Sequence, residues 1–432
     1  MGQTFGDLLR CCCCNSCTPA SRWRLKSLIR NTTPLTPTPL RLAFLSLTAS
    51  PTLAACGPGE RSVSFVNQCV QQVWIGVTGG AGDACGAKNS CPTGQACNTN
   101  NNTCYYTLGT PAAGGYGLAA KTGTAEFCVP AQTGATQWSG NVFGRTGCDA
   151  SGNNCQTGEC GGSPCPPGQG GNPPVTQAEF TLQTTASDFY DVEIINGFNL
   201  PMEMKPTGGA PYKSVPDNPY TCGNPGGVTP LNDTLTGCTW TFDTTVGGTD
   251  YASYLRMVAP ADPQTACTAD SDCSGGALCG LVQQGASLSR MCGSEIGWWS
   301  GDQVCGVDPT FGAPFNCGQA VPAANGAFGT VANLFGCVLD KTGKPAAQSC
   351  YTDGASDTCC GCPNWPYPTD DGKTCQAINS AWTTSVQPWV SFLKNACPTA
   401  YSYPYDDKTS TFTCQSQAAT NAVDYTITYC PG

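Results

Sequence analysis

Apolar and polar residues alternate in several short runs of this chain. Ser62-V-S-F-V-N-Q-C-V-Q-Q-V-W-I-G-Val77, Ala178-E-F-T-Leu182, Phe189-Y-D-V-E-Ile194 and Val423-D-Y-T-I-T-Tyr429 put β-branched or aromatic residues at about every second position. A period of two turns one set of side chains to a core and the other to solvent, so these runs predict strands of half-buried sheets. Gly, Pro and Asn clusters separate them at a spacing typical of sandwiches. Helical patterning is confined to residues 378–393 and 330–338. Leu42-A-F-L-S-L-T-Ala49 is apolar but short, and no run reaches the ~18 residues that crossing a bilayer requires.

That apolar stretch follows Arg41 and precedes Pro51 and the small-residue run Thr52-L-A-Ala55, as in the core and cleavage region of a secretory signal. Residues 1–55 are therefore expected to be a targeting segment and 56–432 the mature, secreted chain. The segment upstream of Arg41 is longer than such signals carry, so a transit-like leader or a start codon placed too early is considered. Two lipid anchors compete with plain secretion. Met1-Gly2 and Cys11, Cys12, Cys13, Cys14 and Cys17 suggest acylation, although Gly6 stands where the myristoylation pattern has Ser or Thr. Leu53-A-A-Cys56 resembles a lipoprotein box, which would put a lipid on Cys56.

Composition narrows the class. With 33 Cys, 53 Gly, 34 Pro and 11% charged residues, the chain reads as strand-based, loop-rich and stapled by disulfides. The absence of histidine removes His-activated nucleophiles, Cys₂His₂ zinc and the His-bearing facial triad. Acid–base chemistry then falls mainly to Asp and Glu. Zinc held by cysteines alone is conceivable around Cys11, Cys14 and Cys17, or Cys359 and Cys362; disulfides in an oxidising compartment account for the cysteines beyond residue 55. Charge is segregated: 1–55 carry six of the 19 basic residues and one of the 29 acidic ones, leaving 13 against 28 beyond. So acidic a body is a poor nucleic-acid binder and suits neutral polysaccharides or cationic partners. No metal or cofactor is expected.

One cysteine pattern occurs twice. Cys85-x5-Cys91-x5-Cys97-x6-Cys104 recurs as Cys267-x5-Cys273-x5-Cys279-x12-Cys292, each with glycine in the turn before the third cysteine. Such spacing predicts small disulfide knots inserted in loops, about residues 85–104 and 267–292. They stiffen long loops or act as recognition knobs.

The run Trp138-S-G-N-V-F-G-R-T-G-C-D-A-S-G-N-N-C-Q-T-G-E-C-G-Gly162, followed by Pro173-P-V-T-Q-A-E-F-T-Leu182 and Phe189-Y-D-V-E-I-I-N-G-F-N-L-P-Met202, resembles the centre of the thaumatin-like family. Phe65-V-N-Q-C-V-Q-Q-V-W-I-Gly76 is similar to that family's opening strand pair. Ala396-C-P-T-A-Y-S-Y-P-Y-D-D-K-T-S-T-F-T-Cys414 and Tyr425-T-I-T-Y-C-Pro431 are similar to its C-terminal segment. Glu159 stands where the family's short signature has Asp. The resemblance covers most of 62–432 outside the two inserts. It implies a mainly β fold: a flattened β-sandwich from about 62–221 and 395–432, a disulfide-rich second lobe over about 222–394, and a small loop domain. It also implies the pairs Cys69–Cys430, Cys148–Cys155, Cys160–Cys165, Cys222–Cys414 and Cys238–Cys397, with Cys359, Cys360, Cys362 and Cys375 left unassigned in the lobe.

The family's acidic cleft, built from one Arg, one Glu and three Asp, maps onto this chain with substitutions. Glu179 matches the Glu and Asp191 the first Asp; Asn196 replaces the second Asp, and the third falls at Asp406 or Asp407. Asn141 replaces the Arg, with Arg145 four residues on. A carboxylate pair hydrolyses a glycosidic bond when one member is held protonated, with separations of about 5 Å for retention and ~6.5–9.5 Å for inversion. Glu179 is the expected proton donor and Asp191 the nucleophile, or the base acting through water. The lost carboxylate and the lost Arg partly cancel in charge, and both Asn residues can bond sugar hydroxyls, so the substitutions favour binding over hydrolysis. The plainer alternative is that Glu179 and Asp191 tie backbone amides at a strand end.

Phe143, Tyr190, Phe198 and Tyr401 read as core, whereas Trp298, Trp299 and Trp365 in Gly/Pro-rich loops are candidates for stacking on sugar rings. Asn31, Asn101 and Asn232 head glycosylation sequons, the last two within the mature chain. The implied role is a monomeric wall-polysaccharide binder, for β-1,3-glucan or a relative, in defence or wall remodelling. A weak endo-β-1,3-glucanase and a protein-binding or inhibitor module using the inserts are the alternatives.

Overall fold

The computed structural model describes residues 56–86, 89–215, 218–233, 235–242, 245–246, 248–322, 328–336, 380–404 and 406–432. Residues 1–55, expected to be a targeting segment, and Asn31, Cys359, Cys360, Cys362, Cys375 and Trp365 lie outside them. In chain order the strands are β1 (Arg61–Asn67), β2 (Val73–Gly79), β3 (Ala81–Ala84), β4 (Gln95–Asn98), β5 (Thr103–Tyr106), β6 (Gly117–Leu118), β7 (Thr124–Val129) and β8 (Thr136–Arg145). Then come β9 (Gln177–Gln183), β10 (Asp188–Glu193), β11 (Met202–Pro206), β12 (Thr245–Val246), β13 (Thr249–Asp250), β14 (Arg256–Pro260), β15 (Leu278–Gln284) and β16 (Ser287–Trp298). β17 (Ala320–Pro322), β18 (Phe328–Thr330), β19 (Phe412–Cys414) and β20 (Tyr425–Tyr429) complete them.

The fold is mainly β, with a two-sheet core. One sheet runs β11-β20-β1-β7 and the other β19-β10-β9-β8-β2-β6. β1 and β20 pair in parallel and the remaining neighbours are antiparallel. Period-two patterning explains the layering: Val63 and Phe65 of β1, and Tyr425, Ile427 and Tyr429 of β20, are fully buried. Trp138 stacks on Phe180 with ring centres 4.5 Å apart, and Phe180 meets Tyr425 of the opposite sheet at 6.2 Å. Arg61 breaks the apolar pattern at an inward position. It donates to Asp188 Oδ1 (2.9 Å), and Tyr425 Oη donates to Asp188 Oδ2 (2.9 Å), so the buried charges are paired.

Eleven disulfides join all 22 cysteines of the described residues. They include the five pairs named above. Cys69–Cys430 spans 361 residues, Cys222–Cys414 192 and Cys238–Cys397 159, closures that remove much unfolded-chain entropy. Cys56 bonds Cys128. This corrects the lipid-anchor alternative at Cys56: its sulfur is consumed and carries no acyl chain.

Both inserts bond first cysteine to third and second to fourth: Cys85–Cys97 and Cys91–Cys104, then Cys267–Cys279 and Cys273–Cys292. The first forms the small sheet β3-β5-β4; the second is built on β14, β15 and β16. The helical pattern near 378–393 becomes two helices, Ser380–Ser385 and Gln387–Ala396, and that near 330–338 one turn, Val331–Phe335. Ala252–Leu255, Gly301–Val307 and Asp407–Ser410 are too short for periodicity to reveal.

Candidate functional site

The registers of β2, β8, β9 and β10 set Thr78 opposite Asn141, Asn141 opposite Glu179, and Glu179 opposite Asp191. Directly opposed residues point to the same face with Cβ atoms about 4.5–5.5 Å apart, so the four side chains form one row across the sheet. Two positions along each strand, Ser139, Thr181 and Phe189 share that face. Together they line an open groove of about 320 Å³. Phe189 is 51% exposed, an unusual state for phenylalanine and one that leaves a ring face available beside the acids.

Asn141 Nδ2 donates to Glu179 Oε1 at 2.9 Å. Asn141 Oδ1 and Asp191 Oδ1 are shielded from solvent and have no hydrogen-bond partner among the described residues. Each such oxygen costs about 1–3 kcal/mol unless a donor reaches it. Burial, then the charges of Glu179, Asp407 and Asp406, push the Asp191 carboxyl well above its ordinary value, against the opposing pull of Lys394. Glu193, two residues on along the same face, is 5% exposed. Burial, then Glu179 and Asp191, raise it well above the usual range.

Not every residue mapped to the cleft lies there. Arg145 is on the same face of β8 as Asn141, but four residues along, about 13 Å at strand rise. It is fully buried beneath the disulfide loop, donating from Nη1 to the carbonyls of Gly152 and Gly162, both at 2.8 Å. Its assignment to the cleft is corrected to a role in holding that loop. Asn196 does not line the groove: its Nδ2 donates to Glu193 Oε1 (3.0 Å) and its Oδ1 accepts from Gln303 (3.0 Å). It positions Glu193 and touches the row only through it. Asp406 is 2% exposed and paired with Lys394 (Nζ to Oδ2, 2.5 Å), a buried structural ion pair, whereas Asp407 is exposed. Both reach Asp191 through electrostatics alone.

Trp298 and Trp299 are 4% and 0% exposed, which corrects their reading as sugar-stacking platforms. Trp298 stacks on Phe242 at 5.0 Å in the lobe core, where Tyr251 also stacks on Phe392 at 4.7 Å. Phe143, Tyr190 and Phe198 are buried and Tyr401 is half-buried. Asn101 and Asn232 are exposed. Phe189, Glu193 and Lys394 were not anticipated. The first two share the strand parity of Asp191; nothing local marks Lys394, which comes from a distant helix.

Fold and groove together define a disulfide-stapled, two-sheet protein with an acidic groove on the outer face of its larger sheet. The family model described as "Thaumatin family" matches residues 101–303 and 336–431. The chain belongs to the thaumatin family. Its relatives include pathogenesis-related thaumatin-like protein 3.5 of Cryptomeria japonica, 26% identical over 395 residues, covering 91% of this chain and 98% of that protein. Pathogenesis-related protein 5 of Arabidopsis thaliana is 27% identical over 303 residues (69% and 74%), and thaumatin-like protein 1 of Pyrus pyrifolia 29% identical over 345 (77% and 90%).

Proposed function

We propose that this is a secreted defence or wall-remodelling protein that binds β-1,3-glucan or a related wall polysaccharide along the Thr78–Asn141–Glu179–Asp191 row. The observation that carries the reading is the pair of buried, unpartnered oxygens, Asn141 Oδ1 and Asp191 Oδ1, in a groove rich in hydroxyls and edged by an exposed ring. Sugar hydroxyls donate to such oxygens, and the apolar face of a pyranose covers a ring like Phe189. The absence of an Arg at position 141 and the acidity of the body favour a neutral glycan. Relatives named pathogenesis-related support a defence setting. The disulfide density suits an extracellular compartment.

A second reading, weak hydrolysis, draws on the carboxyl cluster. Burial and the neighbouring charges raise Asp191, which suits it to the acid's role with Glu179 as the base or nucleophile, the reverse of the roles expected from sequence. A pull-down on insoluble β-1,3-glucan, with released sugar measured in parallel, tests both. Binding is expected for the wild type and weakened in Asp191→Asn and Glu179→Gln. Equal retention by all three refutes the groove as the site, and no sugar release by any refutes hydrolysis.

A further inference from the structure

The first insert borders a cavity of its own. Its β4–β5 hairpin, clamped by Cys85–Cys97 and Cys91–Cys104, lies against the 159–172 segment, which Cys160–Cys165 closes. Between them is a cavity of about 470 Å³ lined by Asn98, Thr99, Asn100, Glu159, Gln169 and Asn172, with Pro166 and Pro167. The wall is rigidly held. Asn98 Nδ2 donates to the Pro167 carbonyl (2.9 Å), and the Glu159 carboxylate accepts from the Cys155 and Gly161 amides at 2.7 and 2.6 Å.

Other groups there are uncommitted. The side chains of Thr99, Asn100 and Asn172 make no hydrogen bond among the described residues, leaving one hydroxyl and two amides, each amide with two donors and an acceptor. The cavity also adjoins the acidic groove. Thr78, which lines the groove, donates from its hydroxyl to the carbonyl of Gln169, which lines the cavity, at 3.0 Å. The insert is pressed onto the same rim: a Cβ on Gly79 would fall 1.7 Å from the Tyr106 carbonyl oxygen.

We infer that the cavity beside the first insert provides further subsites for the glycan held in the groove, so that one neutral polyhydroxylated chain spans both across Thr78. This rests on the groove reading above. Amides, a hydroxyl and proline faces match neutral sugar rings. Glu159, kept ionised by the amides it accepts from and by Arg145, disfavours an acidic sugar.

Titration calorimetry with a β-1,3-linked gluco-trisaccharide and octasaccharide tests it on the wild type, an Asn100→Ala/Asn172→Ala double variant and Asp191→Asn. The wild type is expected to prefer the octasaccharide. The double variant should lose octasaccharide affinity about tenfold, the worth of two neutral hydrogen bonds, and with it that preference. Asp191→Asn should weaken both ligands. Asn100 and Asn172 side-chain amide resonances of the wild type should shift with the octasaccharide but not the trisaccharide, a readout that needs no variant. Equal affinity of the wild type for both sugars, or of wild type and double variant for the octasaccharide, overturns the extension and leaves the groove reading standing. No binding of either sugar by the wild type overturns both.

Discussion

Asp302 sits in the first turn of the helix Gly301–Val307, whose N-cap Ser300 donates to the Ile195 carbonyl just beyond β10 (2.5 Å). Burial pushes its carboxyl from 3.8 up to about 6, and no hydrogen bond to its side chain exists among the described residues. That rise corresponds to on the order of 3 kcal/mol between the two protonation states. Because the folded value is raised, the neutral acid's contribution is fully present below the unfolded value. It is lost as pH rises through about 6, where the fold must carry a desolvated carboxylate.

Asp302→Asn removes the charge and keeps the shape. At about pH 8 the variant should be more stable than wild type by up to about 3 kcal/mol, a gain that shrinks through pH ~6 and vanishes near pH ~4. Scanning calorimetry at a matched scan rate reads this as a midpoint difference. One kcal/mol moves the midpoint by about 2–4 °C in a domain of 150–250 residues and by less in a longer chain. A difference that does not vary with pH, or a variant less stable at the alkaline end, would refute the reasoning. Glu193 supplies an internal check, since Asp302 is one of the charges that raise it. In the variant Glu193 should ionise at lower pH.

Three further outcomes follow from the geometry. Phe189→Ala should weaken glucan binding by about 1–2 kcal/mol, measured by calorimetry, while the half-exposed site leaves the melting temperature nearly unchanged. Arg145→Met should lower stability by about 2–4 kcal/mol in chemical denaturation by stranding the Gly152 and Gly162 carbonyls, yet leave glucan affinity intact. Lys394→Met should cost about 3–5 kcal/mol because it strands the buried Asp406. It should also raise Asp191 further, moving the pH dependence of glucan binding upward, as binding curves across pH would show.

Much of the strand layout was legible because period-two patterning survives in β1, β9, β10 and β20, where one face is dry and the other wet. Glu179 and Asp191 were legible through family resemblance, and register makes them direct neighbours. Phe189 and Glu193 could have been found by the same parity argument, since both lie two residues from Asp191. The tryptophans failed for a different reason. Gly/Pro-rich flanks indicate a loop, but not whether the lobe folds over it, and here Phe242 and Phe392 bury Trp298.

Local chemistry alone settled that this chain would be a β-rich, cysteine-stapled protein without histidine chemistry, because patterning and composition act within a few residues. Which acids meet was a matter of tertiary structure. Arg145 and Asn141 share a strand face, but one is sealed under a disulfide loop and the other opens on the groove. Lys394 and Asp191, 203 positions apart, feel each other only once the helix Gln387–Ala396 is fixed near the sheet. Electrostatic and hydrogen-bonding partners are set by distance in space, and long-range closures such as Cys238–Cys397 decide that distance.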